Sequence, residues 1–279
     1  RNIRLLCEHE AQRDAVMAAN GHHVLMGLLS AGPDSKTTEY AVDALVDLTY
    51  QSTARKLLLV QTGAVRVAVT LLQALPTAKS VGVPQNAVSL VYNLSRVASG
   101  STALQQLGAI APLVSLLSTA FPLAWRKTAA GALWNLSHDF ETKRTANMTE
   151  IRAAGAIPPL VALLHDGAVV NQASGTLRNL ATDAVCAAAI LSTGGIVPLV
   201  AAMHAPKMDT AENAAAALSN LLYFDRRSCG DVLAALAARP PPQCAAPPAA
   251  LDSTPLTKTH RLAWQLRPIA ASRLAAAEA

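Results

Sequence analysis

Apolar residues recur along the chain at fixed offsets from a polar one. Around Asp47, Asn93, Asn135, Asn179 and Asn220 the same frame repeats: Ala six residues before, Leu or Val two before, and Leu one after. On a 3.6-residue helix these offsets fall on one side. Each segment therefore predicts a helix that buries that side and carries the polar residue beside it. Agreement across five copies points to an internal repeat, which decides a fold before single elements do. Arg1-Asn2-Ile3 reads as the tail of one more copy.

A second motif alternates with the first. Gly108-Ala109-Ile110-Ala111-Pro112-Leu113-Val114 is followed by Gly155-Ala156-Ile157-Pro158-Pro159-Leu160-Val161 and Gly194-Gly195-Ile196-Val197-Pro198-Leu199-Val200. Weaker copies are Gly63-Ala64-Val65 with Leu71-Leu72, and Gly21 with Leu28-Leu29. The glycine spacings are 42, 45, 47 and 39 residues. A glycine here fits a helix C-cap or sharp turn needing a left-handed residue. A proline just after it fits the first turn of the next helix, where a missing N–H does no harm. Each unit is then a short first helix, a Gly turn, a second helix beginning near Pro, and a longer third helix carrying the Asn. No such unit buries its apolar face alone, so stacked neighbours must share one core.

The frame is interrupted in places. The run from Asn135 to Gly155 exceeds that from Asn93 to Gly108 by five residues, and the polar stretch His138–Glu150 predicts a protruding turn. Leu75–Pro84 predicts an extended loop. Asp225–Ala238 predicts the first helices of an incomplete last repeat. The expected organisation is a repeat array over 1–237, a Pro/Ala-rich linker over 238–256, and a helical or disordered extension over 257–279. In that extension Leu262, Leu266, Ile269 and Leu274 would share one helix face, kinked at Pro268. Both a poorly ordered tail and a helix capping the end of the array fit this pattern.

Composition narrows the function. Apolar residues make up 52 %, aromatics only 4 %, and the net charge is +5. A small-residue aliphatic core suits closely packed helices. The basic pairs Arg126-Lys127, Lys143-Arg144 and Arg226-Arg227 are isolated, which disfavours a specific nucleic-acid surface. Cys7, Cys186, Cys229 and Cys244 are far apart, without metal spacing, so reduced buried thiols, and no metal or other cofactor, are expected. No apolar run approaches a membrane span. No signal peptide is visible, and the abrupt start suits a fragment. Phosphate-loop, nucleophile-elbow and zinc-helix motifs are missing, and His22-His23 reads as a surface pair, so no enzyme activity is expected.

The two motifs resemble those of the armadillo family. Gly131–Ser137 (GALWNLS) is similar to the β-catenin-like repeats, and Gly155–Leu164 (GAIPPLVALL) to plant and vacuolar-type ones. The resemblance implies an all-α fold, a right-handed α-solenoid of about five repeats with partial terminal ones. It implies that the third helices line a concave groove in which Asn93, Asn135, Asn179 and Asn220 bond the backbone of an extended peptide, with Asp47 as a departure. An Asn side chain offers one acceptor and two donors, which suits both groups of a peptide bond. An alternative is that each Asn bonds only within the array. Neighbours on the same stripe would set specificity: Tyr92, Trp134 and Arg178 one residue before, Arg96, His138 and Tyr223 three after. The polar series Asn86, Thr128, Gln172 and Asn213, seven before, also suggests an exposed face. Arg96, His138 and Arg178 would favour an acidic or phosphorylated protein segment, while Glu39, Asp43 and Asp47 make the N-terminal end acidic.

Importin-α-type receptors carry Trp four residues before the Asn. Ser89, Gly131, Gly175 and Ala216 stand there instead, which disfavours capture of a nuclear localisation signal. The resulting expectation is a protein-interaction scaffold or adaptor in the cytoplasm or nucleus. A substrate-recognition module of a ubiquitin ligase and a structural component of a large assembly such as a cilium are the alternatives.

Overall fold

The computed structural model describes residues 2–29, 32, 35–74, 82–138, 144–225 and 228–238. Among the described residues every regular element is a helix. The chain divides into two compact units, Arg1–Asn147 and Met148–Ala279.

The first unit opens with α1 (Asn2–Cys7). Three helix triplets follow: α2 (Glu10–Ala18), α3 (Gly21–Leu28) and α4 (Lys36–Thr49); α5 (Thr53–Gln61), α6 (Ala64–Gln73) and α7 (Gly82–Leu94); α8 (Ala98–Gln106), α9 (Ile110–Ser115) and α10 (Leu123–Ser137). The next triplet is α11 (Arg144–Ala153), whose larger part lies in the second unit, with α12 (Ile157–Leu163) and α13 (Val170–Leu180). The second unit continues with α14 (Ala184–Ser192), α15 (Ile196–Ala202), α16 (Met208–Phe224) and α17 (Ser228–Ala238). This is the predicted repeat: a first helix of nine or ten residues, a short second one, and a third of 11 to 17.

The glycine motif works as expected. Gly63, Gly108, Gly155 and Gly194 have φ of 91°, 74°, 77° and 77°. At Gly108 the backbone N–H bonds Gln105 O (3.0 Å), and the next N–H, of Ala109, reaches back to Leu104 O (3.0 Å). That pairing closes the first helix and satisfies carbonyls that would otherwise be orphaned. The turns bend the chain by 80° between α5 and α6 and by 93° between α14 and α15. Pro112, Pro159 and Pro198 then fall in the first turn of α9, α12 and α15. Ser52 and Asp183 cap α5 and α14, accepting from Arg55 N (3.2 Å) and Cys186 N (2.9 Å).

The third helices form the spine of each unit. In the first, α4 packs on α1 and α7, and α7 on α10; in the second, α13 packs on α16. Ala41, Ala87, Ala129, Ala173 and Ala214 are at most 1 % exposed, so the small residue of the frame sits in the core. Among the described residues no single helix is long and apolar enough to cross a membrane.

Four expectations change. The left-handed residue of the first turn is Asn20 (φ 56°), not Gly21. Asn tolerates this conformation, and Asn20 rather than Gly21 lies eight residues before Leu28, as Gly63 does before Leu71. Gly21 instead lets the chain pass close to α2, since a Cβ there would meet Val16 Cγ1 at 2.7 Å. The loop foreseen over Leu75–Pro84 ends by Gly82, where α7 starts, because Pro84 is harmless in a first turn. Residues 75–81 lie outside the described ones. Within the polar stretch His138–Glu150, the part from Arg144 onward is the first helix of a repeat. Within Asp225–Ala238 the described residues hold one helix, α17 (Ser228–Ala238), and the extension over 257–279 with nearly all of the linker lies outside the described residues.

Candidate functional site

Each third helix buries most of its surface and leaves one narrow polar stripe. On α4 the stripe runs through Glu39, Asp43 and Asp47, on α7 through Asn86 and Tyr92, and on α10 through Thr128, Trp134 and Asn135. Side chains on neighbouring stripes are stitched together at two levels.

The upper level lies near the helix starts. In the first unit Asp43 accepts from Arg4 Nε of α1 and from Asn86 Nδ2 of α7 (3.3 Å for the latter). Trp125 Nε1 of α10 donates to Gln85 Oε1 of α7 (3.2 Å). In the second unit Thr210 Oγ1 of α16 donates to Asn171 Oδ1 of α13 (3.2 Å).

The lower level uses the repeated Asn. Asn93 is 9 % exposed, and its Nδ2 donates to Thr49 Oγ1 (2.9 Å) on the preceding third helix. Asn135 Nδ2 donates to Ser95 Oγ (3.0 Å), just past the end of α7. Each acceptor hydroxyl spends its own proton on a carbonyl three residues back: Thr49 on Val46 O (2.6 Å) and Ser95 on Tyr92 O (2.7 Å). The hydroxyl is thus oriented as an acceptor for the next Asn. In the second unit Asn220 Nδ2 donates directly to Arg178 O (3.2 Å). Facing a carbonyl, that end of the amide must be the NH₂, which fixes its orientation chemically. Asn93 Nδ2 also reaches Val46 O (3.5 Å), so each amide commits at least one donor within its unit. For Asn93, Asn135 and Asn220 the Oδ1 accepts no hydrogen bond among the described residues.

The remaining expected residues separate into two groups. Arg96, His138 and Tyr223 are exposed, Tyr223 by 68 % with its ring edge-on to Phe224 at 5.1 Å. Tyr92, Trp134 and Asn179 are half-buried. Arg178 is exposed but holds α16 in place, donating from Nη1 to Asn213 Oδ1 (3.1 Å). Asn213 is only 3 % exposed, so it is a packing partner and not part of an open face. Thr49 and Ser95 were not singled out from sequence. The hydroxyl two residues after the frame position, repeated at Thr49, Ser95 and Ser137, was the available signal.

The acidic N-terminal end is partly compensated. Arg4 holds Asp43, and Lys36 Nζ pairs with Glu39 at 2.8 Å. Burial, and then the neighbouring Asp43, push the Asp47 carboxyl above its ordinary range. Burial pushes the thiols of Cys7 and Cys186 up to about 11 and about 12, and at Cys186 the Asp183 carboxylate adds to it, so both stay protonated at neutral pH. Among the described residues no group of His, Cys, Asp and Glu is arranged to hold a metal ion.

Residues 183–223, which hold α14 to α16, match the profile of the Armadillo/beta-catenin-like repeat. That stretch carries an armadillo repeat. No curated protein matches it in sequence. Solved structures of armadillo type share the fold. A designed armadillo repeat protein in complex with the peptide (KR)4 superimposes with a TM-score of 0.68 at 22 % identity, over 87 % of this chain and 98 % of its own. Computationally designed armadillo repeat proteins for modular peptide recognition give 0.70 at 23 %, over 87 % and 98 %. The crystal structure of an engineered protein gives 0.75 at 24 %, over 93 % of this chain and 61 % of its own. The chain spans about three fifths of that protein's length.

Proposed function

We propose that this armadillo scaffold binds an extended segment of a partner protein along the stripe of its third helices, as a non-catalytic adaptor. One observation carries the reading. Asn135 and Asn220 each use one donor to grip the preceding repeat and keep an acceptor and a second donor uncommitted, while Asn93, whose Nδ2 reaches both Thr49 Oγ1 and Val46 O, keeps its acceptor. The inter-repeat bond thereby pre-orients the amide, which lowers the ordering cost of receiving a peptide bond. Structural and binding roles of the ladder are compatible on this reading. The designed armadillo proteins that bind peptides support it by analogy of fold. The exposed Arg96 and His138 in the first unit and Arg178 in the second favour an acidic segment. Cytoplasmic or nuclear residence, proposed with this function, suits two buried, protonated thiols.

The test is affinity capture from lysate with the wild-type chain and with Asn135→Ala, both checked for unchanged helicity. Loss of specific partners with the variant supports the stripe as the binding surface. Equal capture by both forms would move binding to another surface.

A further inference from the structure

The first helix of the last full triplet, α14, has an outer face unlike most of its counterparts. Ten, six and three residues before the turn glycine Gly194 it carries Ala184, Ala188 and Leu191. The same positions before Gly108 are Ala98, Thr102 and Gln105, and before Gly155 they are Thr145, Thr149 and Arg152. No residue of α14 is charged. Ala184 and Ala188 are exposed, Leu191 is half-buried, and Val185 beside them is 56 % exposed. In α5, which carries Thr53, Leu57 and Val60 at these positions, the first helix of the next triplet, α8, packs alongside. The helix that follows the triplet of α14 is α17, and it packs on α15 and α16 instead.

Between α14 and the end of α16 lies a cleft of about 270 Å³, lined by Ala184, Ala188, Leu191, Phe224 and Asp225. Phe224 is 40 % exposed. Apolar surface gathered around a cleft marks a contact site. The one charged residue in the lining is Asp225, so an occupant with an apolar side and cationic flanks fits best.

We propose that this cleft receives the chain's own segment 257–267, docked as a helix with Leu262 and Leu266 against Ala188, Leu191 and Phe224. The segment lies outside the described residues, and its sequence and its tether select it. Leu262 and Leu266 are one helical turn apart and so share a side. Lys258, Arg261 and Arg267 are its charged residues, with no carboxylate among them, which complements Asp225. Pro268 ends the helix at Arg267. The tether reaches. α14 and α17 both pack on α16, so two interhelix distances, about 20 Å, separate them. Residues 239–256, with six prolines, span about 55 Å when drawn out at about 3.1 Å each. Such a tether holds the segment near the cleft at an effective concentration of about a millimolar, which favours it over a free partner or a second copy. The docking does not depend on the stripe reading.

A helix this short is marginal in water by itself, so its formation reports docking. Hydrogen exchange of the full chain, read by mass spectrometry, is the test, with a synthetic peptide of residues 257–267 as the undocked reference. In the wild type the amides of that segment are expected to exchange at least about tenfold more slowly than in the peptide, and equally so on dilution. Two variants should return them to the peptide's rate. Ala188→Arg fills the cleft with a cation from an exposed position, so the array keeps its fold, as circular dichroism checks. Leu262→Asp/Leu266→Asp removes the apolar pair and leaves the array untouched. Wild-type amides that exchange as fast as the peptide's would overturn the docking and leave the cleft to another protein. Protection that survives Ala188→Arg in a folded array would place the segment elsewhere and overturn the cleft. Protection that fades on dilution would assign the cleft to the segment of a second copy and overturn the intramolecular contact.

Discussion

At Gly155 the chain runs through φ 77° with open space where a side chain would point. Replacing it by Ala therefore costs only the left-handed conformation, about 1–2 kcal/mol. At Gly100 the conformation is ordinary, but an added Cβ would sit 2.1 Å from Leu94 O. That atom is backbone and cannot step aside, so Gly100→Ala is expected to cost about 3 kcal/mol, the upper end for overpacking. Urea midpoints of the two variants should fall in that order, and equal losses would refute the distinction. Thr49→Val examines the ladder in the same way. It removes the hydroxyl that Asn93 grips and leaves the stripe's outer atoms in place. A loss of about 1 kcal/mol is expected, with partner capture unchanged. Capture that falls as far as in Asn135→Ala would mean that orientation of the amides, and not their exposed atoms alone, carries binding.

Among the elements, α3 departs most from its counterparts. The second residue past the turn is Val65, Ile110, Ile157 and Ile196 in the other repeats, each at most 8 % exposed. In α3 that position is His22, 2 % exposed, with neither ring nitrogen bonded and its ring 4.2 Å from that of His23. Burial, and then His23, hold its pKa below the ordinary value of 6.5. The unfolded chain therefore takes up a proton first as pH falls. Stability is full above pH 6.5 and declines as pH drops through 6.5 toward the lowered folded value, by at most about 1.4 kcal/mol per pH unit. Denaturant unfolding between pH 7.5 and 5 should show this decline in the wild type and a flatter profile in His22→Ile. Parallel profiles would assign the decline to other groups. From sequence His22-His23 read as a surface pair, because the true turn residue, Asn20, was hidden by the glycine beside it. Once the register moves by one, His22 falls on the aliphatic slot. The strong copies of the glycine–proline motif were legible because φ and a missing N–H are local constraints. The acceptors of the ladder were not, since each depends on which neighbouring side chain has already taken a given carbonyl.

Within each unit the repeat is a unit of construction: α4, α7 and α10 in the first, and α13 and α16 in the second, are joined at two levels of side-chain bonds. In such an array stability is a sum of repeat terms and nearest-neighbour terms. A deletion in phase with the repeat should therefore be tolerated. Removing residues 64–108 joins Gly63 to Ala109, so a left-handed glycine still precedes a buried small residue, and α5 passes into α9 as it did into α6. The shortened chain would lose α6, α7 and α8. It would place α10 beside α4, where Asn135 meets Thr49, a hydroxyl in the frame position that Ser95 now fills. Deleting about half that length, residues 64–86, would join Gly63 to Ala87 in the middle of α7, so that one triplet loses its second helix and the start of its third and falls out of phase with its neighbours. Circular dichroism and thermal unfolding should find the in-phase deletion helical and cooperative, with a lower melting temperature because one neighbour interface is gone. The out-of-phase deletion should unfold broadly or aggregate. Equal behaviour of the two would mean that stability resides in something other than the stacking of identical frames.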